Sequence, residues 1–319
     1  MMQPNKLYLA DSAIQKEQID ALKRMLPQNW QIVDQAQDAE AILTENVSIP
    51  QSIVDQTGGK LTLVLKLVPG QAEIVPGAYQ IVECANTGLI GVAEHAVTLI
   101  LSLSRHFLWV TRQTAAGAWV PGKEQPIQTD QKKYTYNWIG LQSNDAIYAK
   151  TAGIIGLGYI GREVAKRLKS FGMRLMYYDV QRQPADVEEE LGIRYVDLDT
   201  LLQQADFVSL HHRFVEGPGG NDGQFGSREF GLMKETAYFI NTSRGRMVNE
   251  ADLVKAIQAG SIAGVGMDVF RYEPLPKDDP LLALAGDNVI LTAHVAGTFM
   301  PEAWQTTADE IVYYLQMAA

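Results

Sequence analysis

The sequence predicts an α/β protein of two domains, each built on a parallel sheet covered by helices. Three observations lead there. Strand-like and helix-like segments alternate over the first ninety residues, a second alternation begins near residue 151, and a glycine pattern opens that second half. The length of 319 residues, 46% of them hydrophobic, fits the count, because domains run to roughly 100–200 residues.

In the first half, "KLYLA" reads as a strand and "SAIQKEQIDALKRML" as a helix opened by Asp11 or Ser12. "WQIVD", "KLTLVLKLVPG" and "YQIVECANTG" read as further strands, the second running into a Pro-Gly loop. "GVAEHAVTLILSLSRHFLWVTRQTAAGAW" reads as one long helix ending near Gly117, a length that suits a spacer between domains or an oligomer face. Residues 120–146 are polar and irregular, which predicts a long surface segment. Alternation then resumes through "TAGIIGLG", "EVAKRLKSFG", "RLMYYDV", "VDLDTLLQQA" and "DFVSLHH". In the tail, Trp304, Ala308, Ile311 and Leu315 recur at spacings of three and four, a helical pattern. No internal repeat suggests a solenoid.

Composition removes several classes of function. No run of about 18 uncharged apolar residues is present, so no membrane span is expected. "MMQPNKLYLA" lacks the features of a signal peptide. The single cysteine, Cys84, excludes an internal disulfide framework and fits a cytoplasmic location. A formal charge of −10 argues against nucleic acid as a partner. No His/Cys cluster has metal-ligand spacing, so no metal is expected, and Cys84 lacks the setting of a nucleophile.

"AGIIGLGYIGREVAKRLKSFG" carries Gly156, Gly158 and Gly161 in G-x-G-x-x-G spacing, between an apolar strand and an amphipathic helix. Gly156 permits the tight turn, Gly158 leaves room for a pyrophosphate, and Gly161 lets the helix pack closely on the strand. The next strand ends in Asp179, 18 residues past Gly161, where a ribose hydroxyl contact is expected. Strand, loop, helix, strand and acid together predict a Rossmann dinucleotide-binding domain. A carboxylate at Asp179 also repels a 2′-phosphate, so NAD is preferred over NADP, with Arg182 nearby as a counterweight. Because this fingerprint begins about 150 residues in, the earlier half is left to hold the substrate.

Ligands of open α/β sheets bind beyond the carboxyl ends of strands. Three later segments end in suitable groups: "AYFINTSRG" with Arg244, "AGVGMDVFRYEP" with Asp268 and Glu273, and "NVILTAHVAG" with His294. Arginine offers a planar charged fork for a carboxylate. Histidine exchanges protons near neutral pH, and a neighbouring carboxylate fixes its orientation. With a nicotinamide, these are the groups that reduction of a 2-keto acid requires. Singly each has a structural explanation: Arg244 as a surface ion-pair residue, Glu273 as a turn residue before Pro274, and His294 as a strand-end histidine. Their co-occurrence behind the glycine loop favours chemistry.

"GIIGLGYIG", "INTSRGRMVNEADLVKAIQAGSIAGVGMDVF", "EPLP" and "NVILTAHVAG" resemble the D-isomer-specific 2-hydroxyacid dehydrogenase family, strongly over residues 85–300 and loosely over the first 80. The resemblance implies a catalytic triad of Arg244, Glu273 and His294, with Arg246 left to packing or solvent contacts. It implies a flavodoxin-like substrate domain of residues 1–90 completed by 296–319, an NAD-binding domain of residues 91–295, and homodimerisation through the helix beginning "GVAEHAV". Cofactor contacts are expected at Gly156, Gly158, Tyr159, Ile160, Gly161, Asp179, His211, Thr242, Asp268, His294 and Gly297. Substrate contacts are expected at Val68, Gly70, Gln71 and Arg244. The chain departs from the family in "LVPGQAEI", in Ala293 before the histidine, and in His212, Arg213 and the glycine-rich "EGPGGNDGQFG". Arg213 is therefore weighed as a rim charge for a second anionic group, against the plainer solvated loop residue. His95 and His106, on the long helix, are expected to be structural. The function expected is an NAD-dependent oxidoreductase interconverting a small 2-keto acid and a D-2-hydroxy acid. Alternatives are a hydroxypyruvate/glyoxylate reductase, a phosphoglycerate-dehydrogenase-like enzyme, and a non-catalytic NAD(H)-sensing protein.

Overall fold

The computed structural model describes residues 4–11, 14, 16–68, 72–85, 87–123, 125–143, 145–297 and 301–318. The chain divides into two units, Met1–Gly91 with Gly297–Ala319, and Val92–Ala296.

The first unit contains β1 (Asn5–Leu9), α1 (Lys16–Met25), β2 (Trp30–Val33), β3 (Ala41–Thr44), α2 (Gln51–Gln56), β4 (Leu63–Val68) and β5 (Gln80–Ala85). Its strands pair in parallel in the order β2-β1-β3-β4-β5, the flavodoxin-like doubly wound order. Of the two expected openings of α1, Ser12 lies outside the described residues. Asp11 accepts the Asn46 N–H at 2.8 Å. The strand β3 is an addition to the expected elements. Its four residues "AILT" are all buried, and so short an apolar run carries no period of its own.

Next come α3 (Thr87–Ser104) and α4 (Phe107–Ala115). The expected single long helix is thus two helices. His106 between them has φ +47°, the left-handed region that histidine tolerates better than most residues. The break follows a change in surroundings. Ala96, Ile100 and Leu103 of α3 are fully buried, whereas no residue of α4 is buried. The Ser104 hydroxyl anchors the junction by donating to the Asp145 carbonyl at 2.6 Å. An apolar periodicity cannot register one left-handed residue.

The second sheet runs through β6 (Thr151–Ile155), α5 (Tyr159–Ser170), β7 (Arg174–Tyr178), α6 (Ala185–Leu191), β8 (Ile193–Tyr195), α7 (Leu198–Gln204), β9 (Phe207–Leu210), α8 (Ser227–Leu232), β10 (Tyr238–Asn241), α9 (Glu250–Gln258), β11 (Gly264–Met267), α10 (Pro280–Leu284) and β12 (Val289–Leu291). All pairings are parallel, in the order β12-β11-β10-β9-β6-β7-β8. The strand order reverses between β6 and β9, which opens a crevice at their carboxyl ends. Both faces are covered, and β9 and β11 are buried at every position. Phe225, Phe230 and Phe239 fill one face, with ring centroids 5.4 and 5.5 Å apart. Burial of each such side chain stabilises by roughly 1.5–3 kcal/mol. On the opposite face Val164, Ala165 and Leu168 of α5 meet Ile154 and α3.

The tail forms α11 (Pro301–Ala318), which returns to the first sheet. Ala308, Ile311 and Leu315 are fully buried there with Leu7, Leu43 and Leu65, in keeping with their helical spacing. Trp30 Nε1 donates to the Leu315 carbonyl, and Trp304 Nε1 to that of Gln18. Among the described residues no helix is long and apolar enough to cross a membrane.

Candidate active site

The glycine loop joins β6 to α5 at the crevice. Gly156 has φ +91°, and a Cβ there would lie 2.5 Å from the His212 backbone nitrogen, so only glycine lets the two strand ends approach. A Cβ on Gly161 would sit 2.1 Å from the Gly156 carbonyl oxygen. Gly158, the N-cap of the twelve-residue α5, faces open space and is exposed. Tyr159 and Ile160 form the first turn of that helix, where backbone N–H groups and the helix dipole favour an anion. These features fit the pyrophosphate of a dinucleotide.

Asp179 follows β7, and its Oδ2 accepts the Leu157 N–H of the glycine loop at 2.8 Å. A carboxylate has acceptor capacity beyond that single bond. Arg182 is engaged elsewhere: its Nε and Nη2 reach Glu188 at 2.9 and 2.7 Å. Arg182, with the Tyr177 hydroxyl, holds the Glu188 carboxyl down at about 2. The arginine that could have offset Asp179 is therefore already paired with a carboxylate.

The segment after β10 carries both arginines of "NTSRGRM". Asn241, fully buried, accepts the Ser243 N–H and donates to the Arg244 carbonyl, which folds the loop back on itself. The Ser243 hydroxyl ties the loop to the His212 carbonyl at 2.7 Å. Gly245 packs so tightly that a Cβ would lie 1.9 Å from the Phe270 carbonyl carbon. Arg244 is exposed, and its Nη1 donates to the Ser243 carbonyl. It has no carboxylate partner among the described residues. Arg246 instead pairs with Asp222 and Glu216 and lies 4.6 Å over the Phe214 ring. Two residues apart, one guanidinium is committed to the fold and the other is available.

His294 has φ +53°, a conformation costly for a residue with a Cβ, on the order of 1 kcal/mol. Asp268 holds it there. The Asp268 carbonyl accepts the His294 N–H at 2.8 Å, and its carboxylate accepts the N–H groups of Val295 and Ala296 and the Thr292 hydroxyl. That carboxylate is wholly buried, so its visible work is to shape the turn under His294. The turn aims His294 Nδ1 at Glu273 Oε2, 2.7 Å away. Glu273 is steadied in turn by the Phe270 N–H on its Oε1, at 2.9 Å. With Nδ1–H donated to the carboxylate, Nε2 is the ring nitrogen left able to exchange a proton.

The remaining expected positions fall as follows. His211 donates its backbone N–H to the Ile155 carbonyl at the crevice, and its ring meets the Ser209 hydroxyl at 2.8 Å. Desolvation, with His212 beside it, pushes it down to about 3, so it stays neutral near pH 7. Burial also lowers His212. Thr242 Oγ1 and His212 Nδ1 are buried without a protein partner, a state that costs roughly 1–3 kcal/mol if no ligand or water relieves it. Both follow strand ends at the crevice. Arg213 is exposed, with its carbonyl bonded to Asn221. His95 meets Thr292 and Asp268, and His106 meets Ser143. Cys84 is buried and pushed up to about 12, which makes it inert. Val68 closes β4, Gly297 is half-buried, and Gly70 and Gln71 lie outside the described residues. Sequence reasoning missed Asn241, Asp222 and Arg271, and it missed the part that Asp268 plays beneath His294. No motif marks them, because each acts through contacts made only in the fold.

Residues 97–296 match the profile of the D-isomer specific 2-hydroxyacid dehydrogenase NAD-binding domain. The chain is 34% identical over 275 residues to a glyoxylate reductase of Korarchaeum cryptofilum, covering 85% of this chain and 77% of that protein. It is 40% identical over 205 residues to a glyoxylate/hydroxypyruvate reductase B of Klebsiella pneumoniae, covering 64% of this chain but only 57% of the relative. In fold it is similar to the NAD-complexed D-isomer specific 2-hydroxyacid dehydrogenase of Lactobacillus delbrueckii ssp. bulgaricus, with a TM-score of 0.56 at 22% identity over 98% of this chain and 96% of the other.

Proposed function

We propose a reaction from one premise: the chain belongs to the D-isomer specific 2-hydroxyacid dehydrogenase family. Its cofactor is NAD, which supplies or takes up the hydride when bound. The proposed reaction interconverts a small 2-keto acid and the D-2-hydroxy acid, and the names of the relatives point to glyoxylate and hydroxypyruvate as keto acids. The observation that carries the reading is the 2.7 Å contact between Glu273 and His294 in the same unit as the glycine loop.

Each residue has a task that follows from its chemistry. Gly156, Gly158, Tyr159, Ile160 and Gly161 would hold the pyrophosphate and Asp179 the adenosine ribose, while His211, Thr242 and Gly297 would line the nicotinamide end. Arg244 would hold the carboxylate of the acid with its two-pronged donor set and polarise the carbonyl. His294 would give a proton from Nε2 to the oxygen that becomes the hydroxyl, and take it back in oxidation. Glu273 fixes the ring through Nδ1 and Asp268 fixes the turn. Val68, Gly70 and Gln71 are proposed on the substrate side.

Homodimerisation belongs to the same reading. Phe107, Leu108, Trp119, Tyr134, Tyr136, Trp138 and Tyr148 are all exposed over residues 107–148, a density of large apolar groups typical of a covered surface. The cytoplasmic setting expected from the single cysteine is kept. The test is NADH consumption with glyoxylate, hydroxypyruvate, pyruvate and a phosphorylated keto acid. Turnover with small keto acids supports the enzyme. Tight NADH binding with no turnover on any of them indicates an NAD(H) sensor instead.

A further inference from the structure

We propose that Asp222, in the glycine-rich segment after β9, is a positioning residue that sets the loops carrying Arg244 and Glu273 relative to each other. The inference rests on the reading of those two residues given above. Asp222 stands between two arginines. Its Oδ2 accepts from Arg246 Nε and Nη2 at 3.1 and 2.5 Å, and its Oδ1 from Arg271 Nη1 and Nη2 at 2.9 and 3.0 Å. Arg246 lies two residues beyond Arg244, and Arg271 lies two residues before Glu273. One carboxylate thus joins three strand-end loops.

Neighbouring contacts converge on the same joint. Gly223 and Phe225 donate backbone N–H groups to the carbonyls of Arg246 and Met247 at 2.8 and 2.9 Å. Glu216 takes the remaining prong of Arg246 at 2.9 Å. The Arg271 backbone N–H is held by Glu250 Oε1 at 2.6 Å, and Gly245 lies directly beneath Phe270. Asn221 closes the glycine segment by accepting the Val215 N–H, which presents Asp222 toward both arginines. A single exposed ion pair contributes little, but a carboxylate engaged by two forked donors is a network with defined geometry. Removing its charge leaves Arg246 with Glu216 alone and takes the carboxylate from the Arg271 guanidinium. Small displacements of groups that orient substrate cost rate steeply.

The test uses the full chain with Asp222→Asn and Asp222→Glu, read by hydrogen exchange and by steady-state kinetics with NADH and glyoxylate. Asp222→Asn is expected to speed exchange in residues 242–248 and 268–273 by about tenfold, which corresponds to about 1.4 kcal/mol of local opening. The kcat is expected to fall by about tenfold while NADH affinity falls by less, since the glycine loop and Asp179 lie outside the two loosened segments and only Thr242 and Asp268 of the expected cofactor contacts lie within them. Asp222→Glu, which keeps the charge, should recover most of the rate. Unchanged exchange in both segments overturns the proposal. If exchange rises throughout the unit, Asp222→Glu decides: keeping the charge must return protection to residues 242–248 and 268–273, and failure to do so also overturns it. If the wild-type chain reduces no keto acid, the catalytic reading fails, and the exchange data still decide whether Asp222 joins the loops.

Discussion

The glycine loop and the loops carrying Arg244, Glu273 and His294 are built by different means. At the glycine loop the main chain does most of the work: Gly156 and Gly161 allow approaches that any Cβ would block, and a single carboxylate, Asp179, accepts the Leu157 N–H. At the other loops, side-chain carboxylates brace the backbone. Asp268 holds the turn of His294, Asp222 joins Arg246 to Arg271, and Glu250 holds Arg271. A site made by backbone approach declares itself as glycine at fixed spacing. A site braced by side chains is spread over acids whose partners lie 20 or more residues away.

This division can be broken from either side. The largest effect is expected from His294→Ala, which removes the proposed proton-exchanging group and should lower kcat by about 10²–10⁴ in both directions. NADH affinity, measured by fluorescence titration, should be nearly unchanged. A joint loss of binding and turnover would erase the division between the two regions. Arg244→Lys comes next, with a loss of about 2–5 kcal/mol in transition-state binding, because a point charge does not reproduce a forked contact. Arg246→Lys keeps a cation on Asp222 and should cost less than about 1 kcal/mol. Equal values of kcat/KM for the two variants would mean that the wrong arginine had been assigned to substrate.

Asp268→Asn sharpens the contrast through stability. It weakens three bonds to a buried carboxylate at once and should lower the free energy of unfolding by about 1–3 kcal/mol. Denaturant titration would measure that loss, and an unchanged midpoint would contradict the bracing part given to this acid. A small effect is also expected on the cofactor side. Asp179→Ala should narrow the preference for NADH over NADPH by about 1 kcal/mol, the size of a like-charge repulsion near 4 Å in water. A wild type that already uses both equally would remove Asp179 from that part.

Much of the second unit is legible in the amino-acid sequence. Gly156, Gly158, Gly161 and Asp179 are tied by geometry to a strand–turn–helix, and that geometry restricts the residue types. Arg244, Glu273 and His294 are legible as polar groups closing apolar strands, and the pairing of Glu273 with His294 is expected through the resemblance, though the geometry that makes it is not legible. It depends on a left-handed His294 held by an acid 26 residues earlier. Arg246 is set apart from Arg244 only by resemblance, since spacing alone treats them alike; its ion pairs with Asp222 and Glu216 supply the physical reason. The long helix fails at His106 for a related cause. Its apolar period runs on through "SLSRHFLWV", while the core it packs against ends at Ser104.

The configuration of the product tests the central proposal most directly. Hydroxypyruvate and NADH are incubated with the wild-type chain, and the glycerate formed is resolved on a chiral phase. Formation of D-glycerate with consumption of one NADH per molecule is the expected result. L-glycerate, or no hydroxy acid from any keto acid while NADH still binds, would contradict the assignment of this chain as a D-2-hydroxy acid dehydrogenase.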